Sequence, residues 1–196
     1  MMKSAVFLDR DGTINEEMGY INHPSRFFVF PFVPEAISLL NKINMVVVII
    51  TNQSGVARGY FTESLVIQIH NQFKNYLLEH RAYIDAIYYC PHHPVEGKGK
   101  YKKDCDCRKP KPGMVLRAVK EQNIDLKRSY LIGDRYKDIE YADKLNLTSG
   151  LVMTGYGRGE YEYQRHLWKL KPDIIGENLL EIVKVIYQKE RNRAKM

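Results

Sequence analysis

The chain has 196 residues, of which 44% are hydrophobic and 27% are charged. This composition excludes a chain that is disordered over most of its length, and the length is sufficient for one domain with an ordinary core. Lysine and arginine number 30 against 23 aspartates and glutamates, which favours an anionic partner but does not choose among nucleic acid, acidic lipid and phosphorylated metabolites.

Apolar, β-branched runs alternate along the chain with segments of helical periodicity. Strands are predicted at residues 5–9, 46–51, 86–90, 130–134, 149–153 and 173–175. Helices are predicted between them, opened by Pro34, capped by Thr62, opened by Pro112, following Asp134, and running through Leu179 to Ile186. This alternation predicts an α/β fold, a doubly wound parallel sheet within a single domain of residues 1–196, with no large cap inserted between the strands.

The remaining composition bears on location and partners. The longest apolar run, residues 45–50, is too short to cross a bilayer, and Asp9 interrupts the N-terminal segment before the hydrophobic region of a signal peptide can form. We therefore expect a cytoplasmic protein without a membrane partner. The basic segment 188–196 is expected to be a solvated helix end, whose cations suit the C-terminal dipole. No coiled coil or long apolar edge suggests assembly, so a monomer is predicted.

Acidic residues gather where two predicted strands end. Asp9 ends the first predicted strand and Asp11 comes two residues later, whereas Asp134 ends the fourth, with Asp138 one helical turn later. Ligands of such sheets bind beyond the carboxyl ends of the strands, and oxygen ligands suit Mg²⁺. The second strand ends in Thr51, and the main chain of Asn52, Gln53 and Ser54 after it offers a nest for phosphate oxygens.

These motifs carry a resemblance. The ordered segments Asp9-Arg10-Asp11-Gly12-Thr13, Thr51-Asn52-Gln53-Ser54-Gly55, Lys109 and Gly133-Asp134-Arg135 resemble those of the haloacid dehalogenase superfamily of phosphohydrolases over residues 3–155. The resemblance implies a Rossmann-like core, with Asp9 as nucleophile and Asp11 as general acid/base. It implies Mg²⁺ held by Asp9, Asp134 and the main-chain carbonyl of Asp11, with Thr51 and Lys109 steadying the phosphoryl group. Both roles of Asp11 require a raised pKa, which we expect beside another carboxylate.

A second cluster combines thiols and imidazoles. Cys90 is followed by His92 and His93, and after a polar loop by Cys105 and Cys107. Three thiolates and one imidazole predict a closed, tetrahedral, structural zinc site that pins the loop of residues 90–107. The spacing alone does not separate the two histidines. Because Arg108 and Lys109 follow directly, zinc would fix the main chain beside the predicted phosphate-binding residues.

This cysteine-histidine cassette indicates a more specific resemblance within the superfamily. Together with residues 108–113 it resembles the heptose bisphosphate phosphatases, which remove the 7-phosphate of D-glycero-D-manno-heptose 1,7-bisphosphate. The related histidinol-phosphate phosphatases share much of the cassette and are the alternative. This resemblance assigns the zinc to Cys90, His92, Cys105 and Cys107. It assigns substrate recognition to Glu17, Met18, Gly19, Tyr20, Arg108 and Arg135.

Two other functions explain fewer of these motifs. A signalling receiver domain needs neither a general acid two residues after its phospho-accepting aspartate nor a zinc cassette. A zinc module that binds nucleic acid through the basic loop leaves the ordered acidic motifs unexplained. We therefore expect a phosphorylated sugar substrate and no nucleic acid partner. The basic Arg108 and Arg135 favour a sugar bisphosphate over the cationic histidinol phosphate.

Overall fold

The computed structural model describes residues 2–193. Within them, one sheet holds six parallel strands: β1 (Ala5–Leu8), β2 (Val46–Asn52), β3 (Ala86–Cys90), β4 (Tyr130–Gly133), β5 (Thr148–Val152) and β6 (Ile174–Gly176). The helices are α1 (Val33–Lys42), α2 (Gly55–Arg58), α3 (Glu63–Glu79), α4 (Gly113–Gln122), α5 (Tyr136–Lys144), α6 (Gly157–Gln164) and α7 (Leu179–Arg193). The prediction of a doubly wound parallel α/β sheet is confirmed.

The order of the strands determines which loops meet. The sheet runs β3-β2-β1-β4-β5-β6, so β1 lies between β2 and β4. Leu8 is in register with Ile49 on β2 and with Ile132 on β4, and the carboxyl ends of these strands therefore lie side by side. Ligands bind at this edge of doubly wound sheets, where the strand order reverses.

Both faces of the sheet are buried, as the hydrophobic strands predict. Alternate residues of β1 point to opposite faces: Val6 and Leu8 join the core beneath α1 and α7, whereas Ala5 and Phe7 join the core beneath α4. All four side chains have no exposed surface. Burial on this scale contributes about 1.5–3 kcal/mol for each large apolar side chain, so β1 is a rigid support for the residues that follow it.

The predicted helices are confirmed, and two further α-helices were not predicted. The Thr62 hydroxyl accepts a hydrogen bond from the main chain of Leu65 and caps α3, as expected. The two helices that were not predicted are α2, which has only four residues, and α6. Helix α6 has only two buried residues, Gly157 and Glu160, and hence no apolar periodicity that would predict it. Lys189, Arg191 and Arg193 of the basic C-terminal segment fall on α7, whereas Lys195 lies outside the described residues.

The two segments predicted to lack regular structure are loops with one turn of 3₁₀ helix each, Pro24–Arg26 and Gly99–Tyr101. Both lie between a strand and a helix. Among residues 2–193, no second sheet that would serve as a cap interrupts the alternation. None of the helices in the same range is long and apolar enough to cross a membrane.

Candidate active site

Lys109 occupies the centre of the site. Its Nζ lies 3.0 Å from Asp9 Oδ2 and 3.0 Å from Asp138 Oδ1. Burial alone would lower the pKa of this amine, but the charges of Asp138 and Asp9 raise it above its usual range. The main chain of Lys109 is held by Asn52, whose amide donates to the Lys109 carbonyl and accepts from the Lys109 N–H, at 3.1 Å each. Lys109 is therefore a fixed cation beside Asp9.

Three carboxylates form a second feature, the carboxylate cluster of Asp9, Asp134 and Asp138. One oxygen of each lies within 4.8 Å of the others. Burial, with neighbouring negative charge, raises the pKa of Asp9 to about 6 and that of Asp134 to about 8. Buried carboxylate oxygens at this separation are the ligands that a hard divalent cation prefers. The donor set therefore fits Mg²⁺.

Two glycines allow the loops to approach Asp134. A Cβ atom at Gly12 or at Gly155 would lie 2.2 Å from Asp134 Oδ2, and both residues have positive φ angles, +80° and +55°. The Tyr156 N–H donates to the same oxygen at 2.9 Å. Larger residues at either position would displace the carboxylate, which explains why a glycine follows each of Asp11 and Thr154.

The Asp11 carboxylate differs from expectation. Arg10 pairs with it through Nε at 3.2 Å and through Nη2 at 2.8 Å to both oxygens, while Asn15 and Gln53 each donate at 2.9 Å. Burial acts to raise the pKa of Asp11, but the Arg10 charge and these hydrogen bonds outweigh it, so that the pKa is lowered. The expected raised pKa is therefore wrong for this arrangement, because the carboxylate faces a guanidinium.

Arg10 is itself held in place. Its side chain is 2% exposed, its Nη1 lies 3.2 Å from His70 Nε2, and its guanidinium lies over the Phe27 ring at 5.5 Å. Burial, followed by the Arg10 charge, lowers the pKa of His70 to about 3. The imidazole is therefore neutral, and its Nε2 accepts from Arg10. The contact with His70 was not predicted, because His70 is 60 residues away from Arg10 in sequence.

A cleft of about 690 Å³ opens over these groups. Its lining includes the predicted residues Asp9, Asp11, Thr51, Lys109, Asp134, Glu17, Gly19, Tyr20, Asn52, Ser54, Arg108 and Arg135. Glu17 accepts a hydrogen bond from the Gly19 N–H at 2.6 Å, and Tyr20 packs edge-on against Tyr60, with ring centroids 4.7 Å apart. Of the predicted substrate contacts, Met18 lies outside the lining, as does Gln53, whose amide is engaged with Asp11 and Thr51.

The cysteine cluster consists of Cys90, His92, Cys105 and Cys107, whose ligand atoms all lie within 4.8 Å of one another. The sulfur of Cys105 is 3.5 Å from that of Cys90 and 3.3 Å from that of Cys107. The His92 Nδ1 is 3.3 Å from Cys107 Sγ. A tetrahedral zinc with Zn–S bonds of about 2.3 Å requires sulfur atoms roughly 3.7 Å apart, close to these separations.

The geometry separates the two histidines that the spacing left open. His93 Nδ1 accepts from the main chain of Glu96 at 2.8 Å, and its Nε2 lies 3.4 Å from Arg58. The His93 ring therefore makes contacts outside the cysteine cluster. The cluster also reaches the cleft, because Arg108 Nη1 donates to the His92 carbonyl at 3.2 Å. The loop that carries the cluster thus supports one of the two arginines of the cleft.

The comparisons with known proteins identify the family of the chain. The HAD-hydrolase-like family model matches residues 106–182. A D-glycero-beta-D-manno-heptose-1,7-bisphosphate 7-phosphatase of Haemophilus influenzae is 44% identical over 168 residues, which cover 83% of this chain and 91% of the relative. The protein of the same name from Escherichia coli K12 is 42% identical over 152 residues, covering 77% and 80% of the two chains.

A solved structure matches over nearly the whole chain. The D,D-heptose 1,7-bisphosphate phosphatase from B. bronchiseptica, solved with magnesium and phosphate, superposes with a TM-score of 0.82 at 30% identity, covering 95% of this chain and 99% of the other. A HAD-like phosphatase from Mesorhizobium loti gives a TM-score of 0.79 at the same identity. The chain belongs to the D-glycero-beta-D-manno-heptose-1,7-bisphosphate 7-phosphatase family of HAD-hydrolase-like proteins.

Proposed function

We propose that this enzyme removes the 7-phosphate of D-glycero-β-D-manno-heptose 1,7-bisphosphate through a phosphoryl-aspartate on Asp9. The observation that carries the proposal is the arrangement of Asp9 at the floor of the cleft, with the Lys109 amine 3.0 Å from its carboxylate. The names of relatives at 42–44% identity support the substrate and its anomer. Histidinol phosphate is the alternative substrate.

Asp9 is the proposed nucleophile. One of its oxygens attacks phosphorus, and the bond from phosphorus to the sugar oxygen breaks as the new bond forms. Asp11 gives a proton to the departing oxygen, and then takes one from the water that attacks the phosphoryl group and regenerates Asp9. The Lys109 amine and the Thr51 hydroxyl contact the phosphoryl oxygens, where the negative charge of the transition state is concentrated.

Mg²⁺ is the proposed catalytic metal, held by Asp9, Asp134 and the main-chain carbonyl of Asp11. When bound, it neutralises negative charge between the nucleophile and the phosphate. Support comes from the carboxylate cluster and from the neighbouring structure solved with magnesium. Asp138 is assigned instead to Lys109, whose amine it binds at 3.0 Å.

Zinc is the proposed structural metal, held by Cys90, His92, Cys105 and Cys107. The four ligands leave no open position, so the ion serves the loop and not the reaction. Its contribution to activity runs through Arg108, which donates to the His92 carbonyl. Arg108 and Arg135, with Glu17 and Tyr20, are the proposed contacts to the sugar and its second phosphate. Two cationic side chains suit a bisphosphate better than a substrate that carries an amine.

We also propose that residues 1–196 act as one domain and as a cytoplasmic monomer that does not bind nucleic acid, with the basic residues of the cleft serving the substrate. Size-exclusion chromatography with light scattering tests the monomer. A species of twice the 22.9 kDa chain mass would overturn it.

The decisive experiment measures Mg²⁺-dependent phosphate release from both anomers of the heptose bisphosphate and from histidinol phosphate, compared by kcat/KM. Because the relatives are named for the β anomer, we expect it to be preferred by at least about 10-fold, which corresponds to about 1.4 kcal/mol of differential binding. Preference for histidinol phosphate would retain the chemistry and reject the substrate.

The chemistry has its own test in Asp9→Asn. We expect this variant to lose turnover by more than about 10³-fold with an unchanged fold, because an amide cannot form the phosphoryl ester. The matched control is Asp104→Asn, an aspartate that is 73% exposed and bound to Lys111. Near-normal phosphate release by Asp9→Asn would reject the proposed nucleophile.

A further inference from the structure

A buried carboxylate outside the cleft binds the arginine at its rim. Glu160 on α6 is only 9% exposed, and its Oε1 accepts a hydrogen bond from Arg135 Nε at 2.9 Å and lies 2.9 Å from Arg135 Nη2 in an ion pair. Its other oxygen, Oε2, accepts from the Tyr136 N–H at 2.8 Å, at the first residue of α5. Glu160 is not part of the cleft lining, whereas Arg135 is. Glu160 therefore holds Arg135 from behind.

A ring holds the same guanidinium from one face. The Arg135 Cζ lies 4.4 Å from the centroid of the Tyr156 ring, a distance at which the cation and the ring attract each other. The position of Tyr156 is fixed in turn, because its N–H donates to Asp134 Oδ2 in the carboxylate cluster. The guanidinium orientation is thus tied both to α6 and to the catalytic end of β4.

Part of the guanidinium has no hydrogen-bond partner within the described part of the chain. Glu160 contacts Nε and Nη2, the Arg135 side chain is 44% exposed, and Arg135 is part of the cleft lining. Among residues 2–193, Nη1 has no hydrogen-bond acceptor. An arginine binds a phosphate best when its planar fork is already oriented, because less side-chain freedom is lost on binding.

We propose that Glu160 is a positioning residue for substrate recognition: it holds Arg135 so that the free edge of the guanidinium binds the phosphate of the substrate that is not hydrolysed. This inference rests on the proposed function, since a second phosphate is needed for Arg135 to bind. Glu160 does not touch the substrate. Its effect is confined to substrates that carry a second anionic group, and it acts on KM more than on kcat.

The test compares the heptose bisphosphate with p-nitrophenyl phosphate, a monoester without a second phosphate. For Glu160→Gln we expect KM for the bisphosphate to rise about 10-fold, as expected for a loosened charged contact, with kcat changed less than about two-fold. The kcat/KM for the monoester should change less than about two-fold. The matched control is Glu162→Gln on the same helix, an exposed residue paired with Arg158 at 3.6 Å, which should leave both substrates unaffected.

A double-mutant cycle separates positioning from general stability. In an Arg135→Ala background, Glu160→Gln should cause no further rise in KM, because the group through which it acts is gone. Equal losses on both substrates, or the same rise in KM with and without Arg135, would overturn the inference. If Glu160→Gln does not fold, Tyr156→Leu removes the ring and keeps the N–H to Asp134. This variant should raise KM for the bisphosphate more than for the monoester, and an unchanged ratio would reject the inference.

The wild-type measurement distinguishes failure of the positioning role from failure of the proposed substrate. Wild-type enzyme that prefers the bisphosphate, combined with a Glu160→Gln variant that affects both substrates equally, would reject only the positioning role. Wild-type enzyme without a preference for the bisphosphate would reject the proposed substrate, and the positioning role with it.

Discussion

The Asn52 side chain binds the main chain of Lys109, the proposed phosphate-binding lysine, and replacing Asn52 tests whether that support matters. The Asn52 amide and the Lys109 peptide unit exchange two hydrogen bonds of 3.1 Å, across 57 residues of sequence. Lys109 in turn places its amine between Asp9 and Asp138. In Asn52→Ala, the Lys109 peptide unit loses both partners while the Lys109 side chain is unchanged. The variant therefore changes the position of Lys109 without changing the charge or length of its side chain.

The structure sets the magnitude of this effect. Each lost neutral hydrogen bond costs about 0.5–1.5 kcal/mol, so two cost about 1–3 kcal/mol of unfolding free energy. For a chain of this size that corresponds to a decrease in Tm of about 2–12 °C. A shift of about 1 Å in a positioned catalytic group lowers rates by up to roughly 100-fold, so we expect kcat to fall about 10- to 100-fold.

The chain contains a matched control for this experiment. Asn41 exchanges the same pair of hydrogen bonds with the main chain of Tyr83, at 3.1 and 3.0 Å, away from the cleft. Asn41→Ala should lose similar stability in urea denaturation and keep its kcat. If Asn52→Ala loses as much stability as Asn41→Ala but keeps kcat within about two-fold, the position of Lys109 does not depend on this amide. A change confined to KM would instead support Asn52 as a direct substrate contact.

Two further predictions concern histidines. His92→Gln should lose the bound zinc and also lose stability, whereas His93→Gln should keep the zinc, because His92 and not His93 lies among the thiols. Metal analysis of the two purified variants measures this difference. Equal zinc content in both variants would reject the ligand set. His70 faces Arg10, Asp11, Lys74 and Tyr89, and its pKa of about 3 lies below the value of 6.5 for an unfolded chain. Below pH 6.5 the unfolded state therefore binds more protons, and stability falls as the pH decreases toward 3. His70→Gln should flatten this dependence in urea titrations at pH 4.5, 5.5 and 7, and parallel curves would contradict the assignment.

The strands and the residues that end them were predictable from sequence. Continuous β-branched runs identify buried parallel strands, and the acidic residues directly after residues 8 and 133 mark their carboxyl ends. What joined these residues into one site was the order of the strands, which follows from topology rules and from the resemblance. The roles assigned to the site residues stay predictions until the variants are measured.

The supporting residues were not predictable in the same way. Glu160 lies on a helix with little apolar periodicity, and its partner Arg135 is 25 residues earlier. A glutamate in such a segment is read as a solvated charge, because local sequence does not reveal that α6 packs its first turn against β5. Gly157 is the one local sign of that contact, since a Cβ there would collide with the Val152 carbonyl. Long-range polar pairs of this kind become visible only when the fold is known.

Asp11 shows most clearly what spacing omits. The two-residue interval from Asp9 predicts that both carboxylates are near the substrate, but not which groups each oxygen faces. Arg10 binds both Asp11 oxygens, and this ion pair opposes protonation of Asp11. The observed arrangement therefore suits the base step, in which a carboxylate accepts a proton from water. Giving a proton to the leaving group requires a protonated Asp11, which is favoured when the Asp11 carboxyl moves away from Arg10. Because Arg10 is buried and held by His70 and Phe27, that movement falls on the Asp11 side chain.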